Sequence, residues 1–125
     1  MKMKKIILDA NVLIESTKSG TDIFGQIKDA FPKSEIITSK SVSGELRKIS
    51  KGKGKDATAA RIALLLSDKN LVGLKKTKSR GDDSLIELCD ENSILITQDK
   101  KLREKCAKKG FLTGYLRGKR QLAVA

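Results

Sequence analysis

The chain is predicted to fold as an α/β sandwich around a mainly parallel sheet of four or five strands, and three observations carry that prediction. Apolar residues, 38% of the chain, gather in short clusters such as Ile6-Ile7-Leu8, Ile36-Ile37, Leu64-Leu65-Leu66 and Ile94-Leu95-Ile96, lengths that suit buried strands and amphipathic helices. These clusters alternate in type along the chain as β-α-β-α-α-β-α-β-α-β, the order of parallel strands joined by helical crossovers. A length of 125 residues supports one compact core, so residues 1–125 are read as a single domain.

The first strand is read over Lys5–Leu8, an apolar run behind a lysine that stops at Asp9. Asn11–Ser16 and Thr21–Ala30 follow as helix, with Thr21 as the cap of the second and Pro32 beyond its end. Glu35–Thr38 is a short strand, and Ser39 or Ser41 caps the next helix, in which Val42, Leu46 and Ile49 share a face. A basic, glycine-broken loop (Lys51-Gly-Lys-Gly-Lys55) leads to a helix over Ala57–Leu66 capped by Asp56, and Leu71–Leu74 is a strand. A second basic loop, Lys75–Gly81, is followed by helix over Asp82–Asp90, strand over Ser93–Thr97, helix over Lys100–Lys109 and strand over Leu112–Leu116. The basic stretch Arg117–Arg120 is expected to be a loosely ordered tail.

Composition narrows the chemistry. The chain has no histidine, and its two cysteines, Cys89 and Cys106, form no CxxC pair. A structural zinc site and a histidine-activated serine or cysteine nucleophile are therefore excluded. What remains for hydrolysis near neutrality is a set of carboxylates holding a hard divalent cation. Lys+Arg 27 against Asp+Glu 15 leaves a net charge of +12, a field that attracts polyanions, of which nucleic acids are the usual ones; a lysine-rich amino-acid usage is the bland alternative. Three Phe and one Tyr supply no base-stacking platform, so binding would run through phosphates with little sequence preference. The Lys51, Lys53, Lys55 loop and the Lys75, Lys76, Lys78, Arg80 loop are the candidate RNA-binding segments, with Arg117, Lys119 and Arg120 as a further basic run. No apolar run reaches the roughly 20 residues of a membrane span, and the acid at Asp9 follows the start too closely for a signal peptide, so no membrane contact and a cytoplasmic location are expected.

The acids fall into place on this scheme. In an open parallel sheet, functional groups collect beyond the carboxyl ends of the strands. Asp9 ends the first strand, Asp99 follows the fourth by two residues, Asp82 and Asp83 open a helix at the same edge, and Glu45 lies one turn into the helix after the second strand. Carboxylates converging from separate segments repel one another in a partly desolvated cleft, and a divalent cation removes that cost. Each acid also has a plain reading: Asp9 and Asp99 as helix caps, Asp82-Asp83 as a pair favoured by the helix dipole, Glu45 as a solvated surface residue. Their joint placement at one edge is what singles them out.

These segments resemble the PIN domain family. "IILDANVLIE" (Ile6–Glu15) is similar to its first motif, "SVSGELRKI" (Ser41–Ile49) to its second, "GDDSLIELC" (Gly81–Cys89) to its third and "ILITQDKKLREKC" (Ile94–Cys106) to its fourth, in order and over nearly the whole chain. The resemblance implies a three-layer Rossmann-like sandwich, cleavage of RNA by an Mg²⁺- or Mn²⁺-dependent endoribonuclease, and metal binding by Asp9, Glu45, Asp82 or Asp83, and Asp99. Asn11 and Thr97 would orient those acids from behind. Asp82 ranks ahead of Asp83 because Leu85 and Ile86 stand three and four residues after it. "LTGYLRGKR" (Leu112–Arg120) resembles an archaeal, ribosome-processing-like branch more than VapC-like toxins. A homodimer, and an antitoxin or a ribosome-assembly partner, are further implications of the resemblance.

Two other readings compete. A response-regulator receiver domain needs an acid pair at the end of the first strand and a phosphoacceptor ending the third, whereas here Asp9 stands alone and the third strand runs into Leu74-Lys75-Lys76. A non-catalytic basic RNA-binding module on the same fold would keep the charge and leave the acids as caps.

Overall fold

The structure, a computed structural model, describes residues 3–124. Its elements in chain order are β1 (Lys4–Leu8), α1 (Ala10–Lys18), α2 (Ile23–Ala30), β2 (Ser34–Ser39), α3 (Lys40–Ser50), α4 (Lys55–Lys69), β3 (Gly73–Lys75), α5 (Gly81–Leu88), β4 (Ser93–Ile96), α6 (Lys100–Lys108), β5 (Leu112–Arg117) and β6 (Gln121–Val124). The strands form one sheet in the order β3-β2-β1-β4-β5-β6, parallel throughout except for the antiparallel β5–β6 pair. The α/β class and the parallel sheet are as the sequence predicts, but the sheet has six strands.

The extra strand lies where a loose tail was expected. Gly118 and Lys119 both take positive φ, 58° and 64°, which turns the chain back on itself so that Arg117 pairs with Gln121 and Gly114 with Val124. Two successive residues at positive φ are the mark of a hairpin turn whose twist matches its strands. Gly114 permits the close approach of β6, since a Cβ there would stand 2.8 Å from the carbonyl oxygen of Ala123.

Several caps differ from those read in the sequence. Asp22 caps α2 by accepting from the backbone N–H of Gly25, while the Thr21 hydroxyl donates to the carbonyl of Lys119. Gly54, at φ 95°, precedes α4, and Asp56 instead pairs with Lys18 at 2.9 Å. Ser39, rather than Ser41, caps α3 through the N–H of Val42. Ile49 falls near the end of α3 and is partly exposed, unlike buried Val42 and Leu46. The third strand is shorter than expected because Leu71 sits exposed at φ 56° in the turn before it.

The core is the row of central strands, Ile6, Ile7, Leu8, Ile94, Leu95 and Ile96, all essentially inaccessible to solvent. Strands buried on both faces need helices above and below. Strand order runs outward from β1 to β3 on one side and from β4 to β6 on the other, so right-handed crossovers place α1–α4 on one face and α5–α6 on the other. The reversal falls between β1 and β4, and a crevice opens there beyond the carboxyl ends of the strands.

Candidate metal centre at the β1–β4 switch point

Register brings the first acid to its partner. Leu8 is opposite Ile96, and the next residues, Asp9 and Thr97, emerge side by side where the sheet ends, with the Asp9 N–H donating to the carbonyl of Ile96. The Thr97 hydroxyl donates to Asp9 Oδ2 at 2.7 Å and accepts from the N–H of Asp99 at 3.1 Å. Asn11 Oδ1 accepts from the N–H of Gln98 at 3.1 Å. One buried threonine and one asparagine thus tie the β1–α1 corner to the β4–α6 corner.

Asp9 begins α1, yet it is an imperfect cap. Its Oδ1 accepts only from the adjacent Ala10 N–H at 2.7 Å, whereas a good cap reaches the second or third helical N–H, as Asp99 does with Lys101 and Leu102. Asp9 is buried, and burial is the main force raising its carboxyl above the ordinary aspartate value. The hydrogen bonds from Thr97 and Ala10 oppose that rise, and the nearby charges of Asp82 and Glu45 add to it. Asp82 is likewise raised, first by desolvation, then by the charges of Asp99 and Asp83, with only Lys105 acting the other way. Asp9, Glu45, Asp82 and Asp99 are thus linked pairwise, Asp9 to Asp82 and Glu45, and Asp82 to Asp99.

The four differ in freedom. Asp99 commits Oδ1 to capping α6 and leaves Oδ2 unengaged. Glu45, exposed on α3, has an Oε1 lying 4.0 Å from where a Cβ would stand at Gly81, and neither it nor Asp82 has a hydrogen-bonding or ion-pair partner among the described residues. Asp83 pairs with Lys105 at 3.3 Å, and its charge also bears on Asp82. Among the described residues, no three acids or cysteines are drawn close enough to enclose a cation as they stand. In chemistry the set still fits a hard divalent ion: oxygen donors only, a surplus of negative charge, and two carboxyls pushed toward protonation by their surroundings.

Several supporting residues escaped the sequence reading. Gln98 lies between Thr97 and Asp99, and its amide brackets β5, accepting from the N–H of Leu116 at 2.7 Å and donating to that residue's carbonyl at 3.2 Å. Arg103 donates to the Thr97 carbonyl at 2.8 Å and stacks 4.4 Å above the Tyr115 ring. Ser39 and Ser84, both buried, share a 2.7 Å hydrogen bond; Ser84 donates to the carbonyl of Gly81, so Ser39 is the donor between the two. Ser41 accepts from the N–H of Gly81 at 2.9 Å. These serines join the start of α3 to the start of α5 and set where Asp82 begins. A polar residue between a threonine and an aspartate after a strand was the available signal for Gln98. Ser39 and Ser41 are legible locally as cap candidates, but nothing local marks the link to α5, where the Ser39–Ser84 pairing spans 45 positions.

The basic segments separate. Lys75 pairs with Glu35 at 3.4 Å, while Lys76, Lys78 and Arg80 stand exposed beside Gly81. Lys51, Lys53 and Lys55 lie past the far end of α3, against the last turn of α1 through the Lys18–Asp56 pair. Among the described residues no helix is long and apolar enough to cross a membrane. Cys89 and Cys106 are free and buried, and burial pushes the Cys89 thiol up to about 12 and raises that of Cys106 as well, so neither offers a thiolate near neutrality.

Comparison with known proteins agrees with this fold. The chain is 36% identical over 125 residues to the ribonuclease VapC9 of Archaeoglobus fulgidus, covering 98% of this chain and 90% of the relative. Among solved structures it is similar to the PIN domain endonuclease Utp24, with a TM-score of 0.75 at 20% identity, covering 96% of this chain and 90% of the other. It also resembles a domain of a functionally unknown protein from Methanocaldococcus jannaschii, with a TM-score of 0.62 at 20% identity and 91% of each chain covered. The sequence relative carries a VapC name, whereas the C-terminal stretch by itself resembled the ribosome-processing-like branch. The profile described as a PIN like domain matches residues 6–119, and with it this chain belongs to the PIN-like domain family.

Proposed function

We propose that this protein is an endoribonuclease that hydrolyses RNA phosphodiester bonds with Mg²⁺ or Mn²⁺ held by Asp9, Glu45, Asp82 and Asp99. The observation that carries the reading is the buried Asp9 carboxyl at the strand-order reversal, raised by burial and by the charges of Asp82 and Glu45. A purely structural cap gains nothing from such neighbours, and a non-catalytic RNA binder has no use for them. The ribonuclease named among its relatives supports RNA as the substrate.

The roles follow from freedom of movement. Asp9 is the rigid anchor, fixed by Ala10 and Thr97, and Asp99 offers Oδ2 while its other oxygen keeps α6 in place. Glu45 and Asp82 complete the set from α3 and α5. When bound, the ion polarises a phosphate oxygen and lowers the pKa of water, supplying the nucleophile that a chain without histidine lacks. Whether the enzyme serves as a toxin silenced by an antitoxin or in RNA processing beside ribosome-assembly partners turns on the RNA it selects, and a homodimer is compatible with either role.

Cleavage of a labelled single-stranded RNA with Mn²⁺ and with EDTA, followed by end-group analysis, tests the reading. Metal-dependent cutting that leaves a 5′-phosphate and a 3′-hydroxyl is expected, because water is the attacking group. Cutting in EDTA that leaves cyclic phosphate ends would place the attack on the RNA 2′-hydroxyl and overturn it.

A further inference from the structure

Beside the acids lies a second concave site of opposite charge. Its walls are the first turns of α3, with Lys40, Ser41 and Gly44, and the loop that carries Lys76, Lys78 and Arg80. The two sites share borders: Gly44 precedes Glu45, and Arg80-Gly81 precede Asp82. We propose that this cleft holds the sugar-phosphate backbone of single-stranded RNA next to the scissile phosphate, and so fixes the side from which the strand enters the acid cluster. The proposal rests on the nuclease reading for what lies next door, and on the cleft itself for the anion.

The cations here are free of ion pairs, although the charge of Lys78 also bears on the Glu87 carboxylate that braces the loop. Lys40, Lys76, Lys78 and Arg80 are all exposed, and none has an ion-pair partner among the described residues, in contrast to Lys75, Lys18 and Lys119, which are paired with Glu35, Asp56 and Glu15. Four like charges around one hollow repel one another, and a polyanion relieves that repulsion.

The loop is also built to present them. From residue 76 to 80 exposure alternates, with Lys76, Lys78 and Arg80 exposed and Thr77 and Ser79 half-buried between them. The chain bends at Lys78 and Ser79 on its way to α5. The loop does not have to order itself on binding. The Glu87 carboxylate accepts from the N–H groups of Lys78 and Ser79, and the Thr77 hydroxyl donates to the Ser79 carbonyl. Ser41 uses its oxygen to accept from Gly81, and its own proton is free to donate to a phosphate oxygen at the cleft's inner end. The more conspicuous Lys51-Gly-Lys-Gly-Lys55 loop lies several residues further along, past the end of α3, and is no part of this path.

The test is fluorescence anisotropy of labelled dodecauridylate in EDTA, where cleavage does not intervene, over a series of salt concentrations. Three proteins are compared: wild type, Lys40→Ala/Arg80→Ala, and Lys51→Ala/Lys53→Ala. The cleft variant is expected to bind roughly tenfold more weakly at low salt, with the slope of log affinity against log salt reduced by about 0.7 for each phosphate no longer neutralised. The distal-loop variant, which removes charge from the other basic segment, should lose less affinity than the cleft variant. Under Mn²⁺ the cleft variant should show a raised KM with kcat retained. Equal affinity and slope for the cleft variant and wild type would overturn the proposal, as would a weakening confined to the distal-loop variant. A weakened cleft variant in a protein that never cleaves would support the cleft and remove the nuclease reading instead, so the two failures are distinguishable.

Discussion

Asp9 combines two tasks whose demands differ. As a cap it needs only an acceptor near Ala10, and asparagine supplies that about as well as aspartate. As a site residue it needs the charge. Its carboxyl and that of Asp82 are raised above their ordinary values, so each contributes stability that is fully present below the unfolded pKa, near 4, and lost as the pH climbs through the folded value. The metal-free protein is therefore expected to lose stability at this site as the pH rises above the ordinary aspartate value. Asp9→Asn should flatten that slope relative to wild type and raise the melting temperature at pH 7 in EDTA by a few degrees, as for about 1 kcal/mol. It should also abolish cleavage. Thr97 accommodates the change, because its hydroxyl can turn toward Asn11 Oδ1, 3.4 Å away. Scanning calorimetry across pH checks this, and identical pH slopes for the two proteins would remove Asp9 from the charged group. At the same scale, Gln98→Ala forfeits both bonds to Leu116, worth about 1–2 kcal/mol together, and loosens the segment that carries Asp99. A lower urea midpoint and a need for more Mn²⁺ to support cleavage are expected, and an unchanged midpoint would show that the bracket adds nothing to stability.

At the scale of elements, what the sequence made legible depended on how local the cause was. Apolar runs bounded by turn residues announced β1, β2 and β4, because burial on both faces demands them. Caps were harder, since Thr21 and Asp22, or Ser39 and Ser41, are chemically interchangeable until the helix direction is known. The strand β6 was hidden because its turn reads as a basic tail, and because Gln121–Val124 gains its stability from β5 rather than from its own composition. That dependence is testable at Gly114. In Gly114→Ala the new methyl would meet the backbone oxygen of Ala123 at 2.8 Å, an atom that yields only if the strand shifts. A destabilisation of about 1–3 kcal/mol, read as a lower melting temperature, is expected from such overpacking. An unchanged melting temperature would mean that β6 packs more loosely than the structure shows.

Across the whole molecule, the sheet's strand order does the gathering. The strands β1 and β4 are neighbours in the sheet although β2 and β3 come between them in the chain, so the acids that follow them meet where the order reverses. That edge could be read in the sequence from strand ends alone. How α5 is turned about its axis could not: successive helical residues point about 100° apart, and the rotation is set where its own Ser84 and Gly81 meet Ser39 and Ser41. Nor could the sequence separate the paired cations from the free ones, since pairing depends on residues such as Glu35 and Lys75 that are distant in the chain and meet only in the folded sheet. The measurement that bears most directly on the central claim is anomalous diffraction at the manganese edge from crystals soaked in Mn²⁺. The account predicts a peak in the β1–β4 crevice, bounded by Asp9, Asp82 and Asp99 with Glu45 drawn inward. Well-ordered crystals with no peak there, or with Mn²⁺ held only elsewhere on the surface, would contradict it.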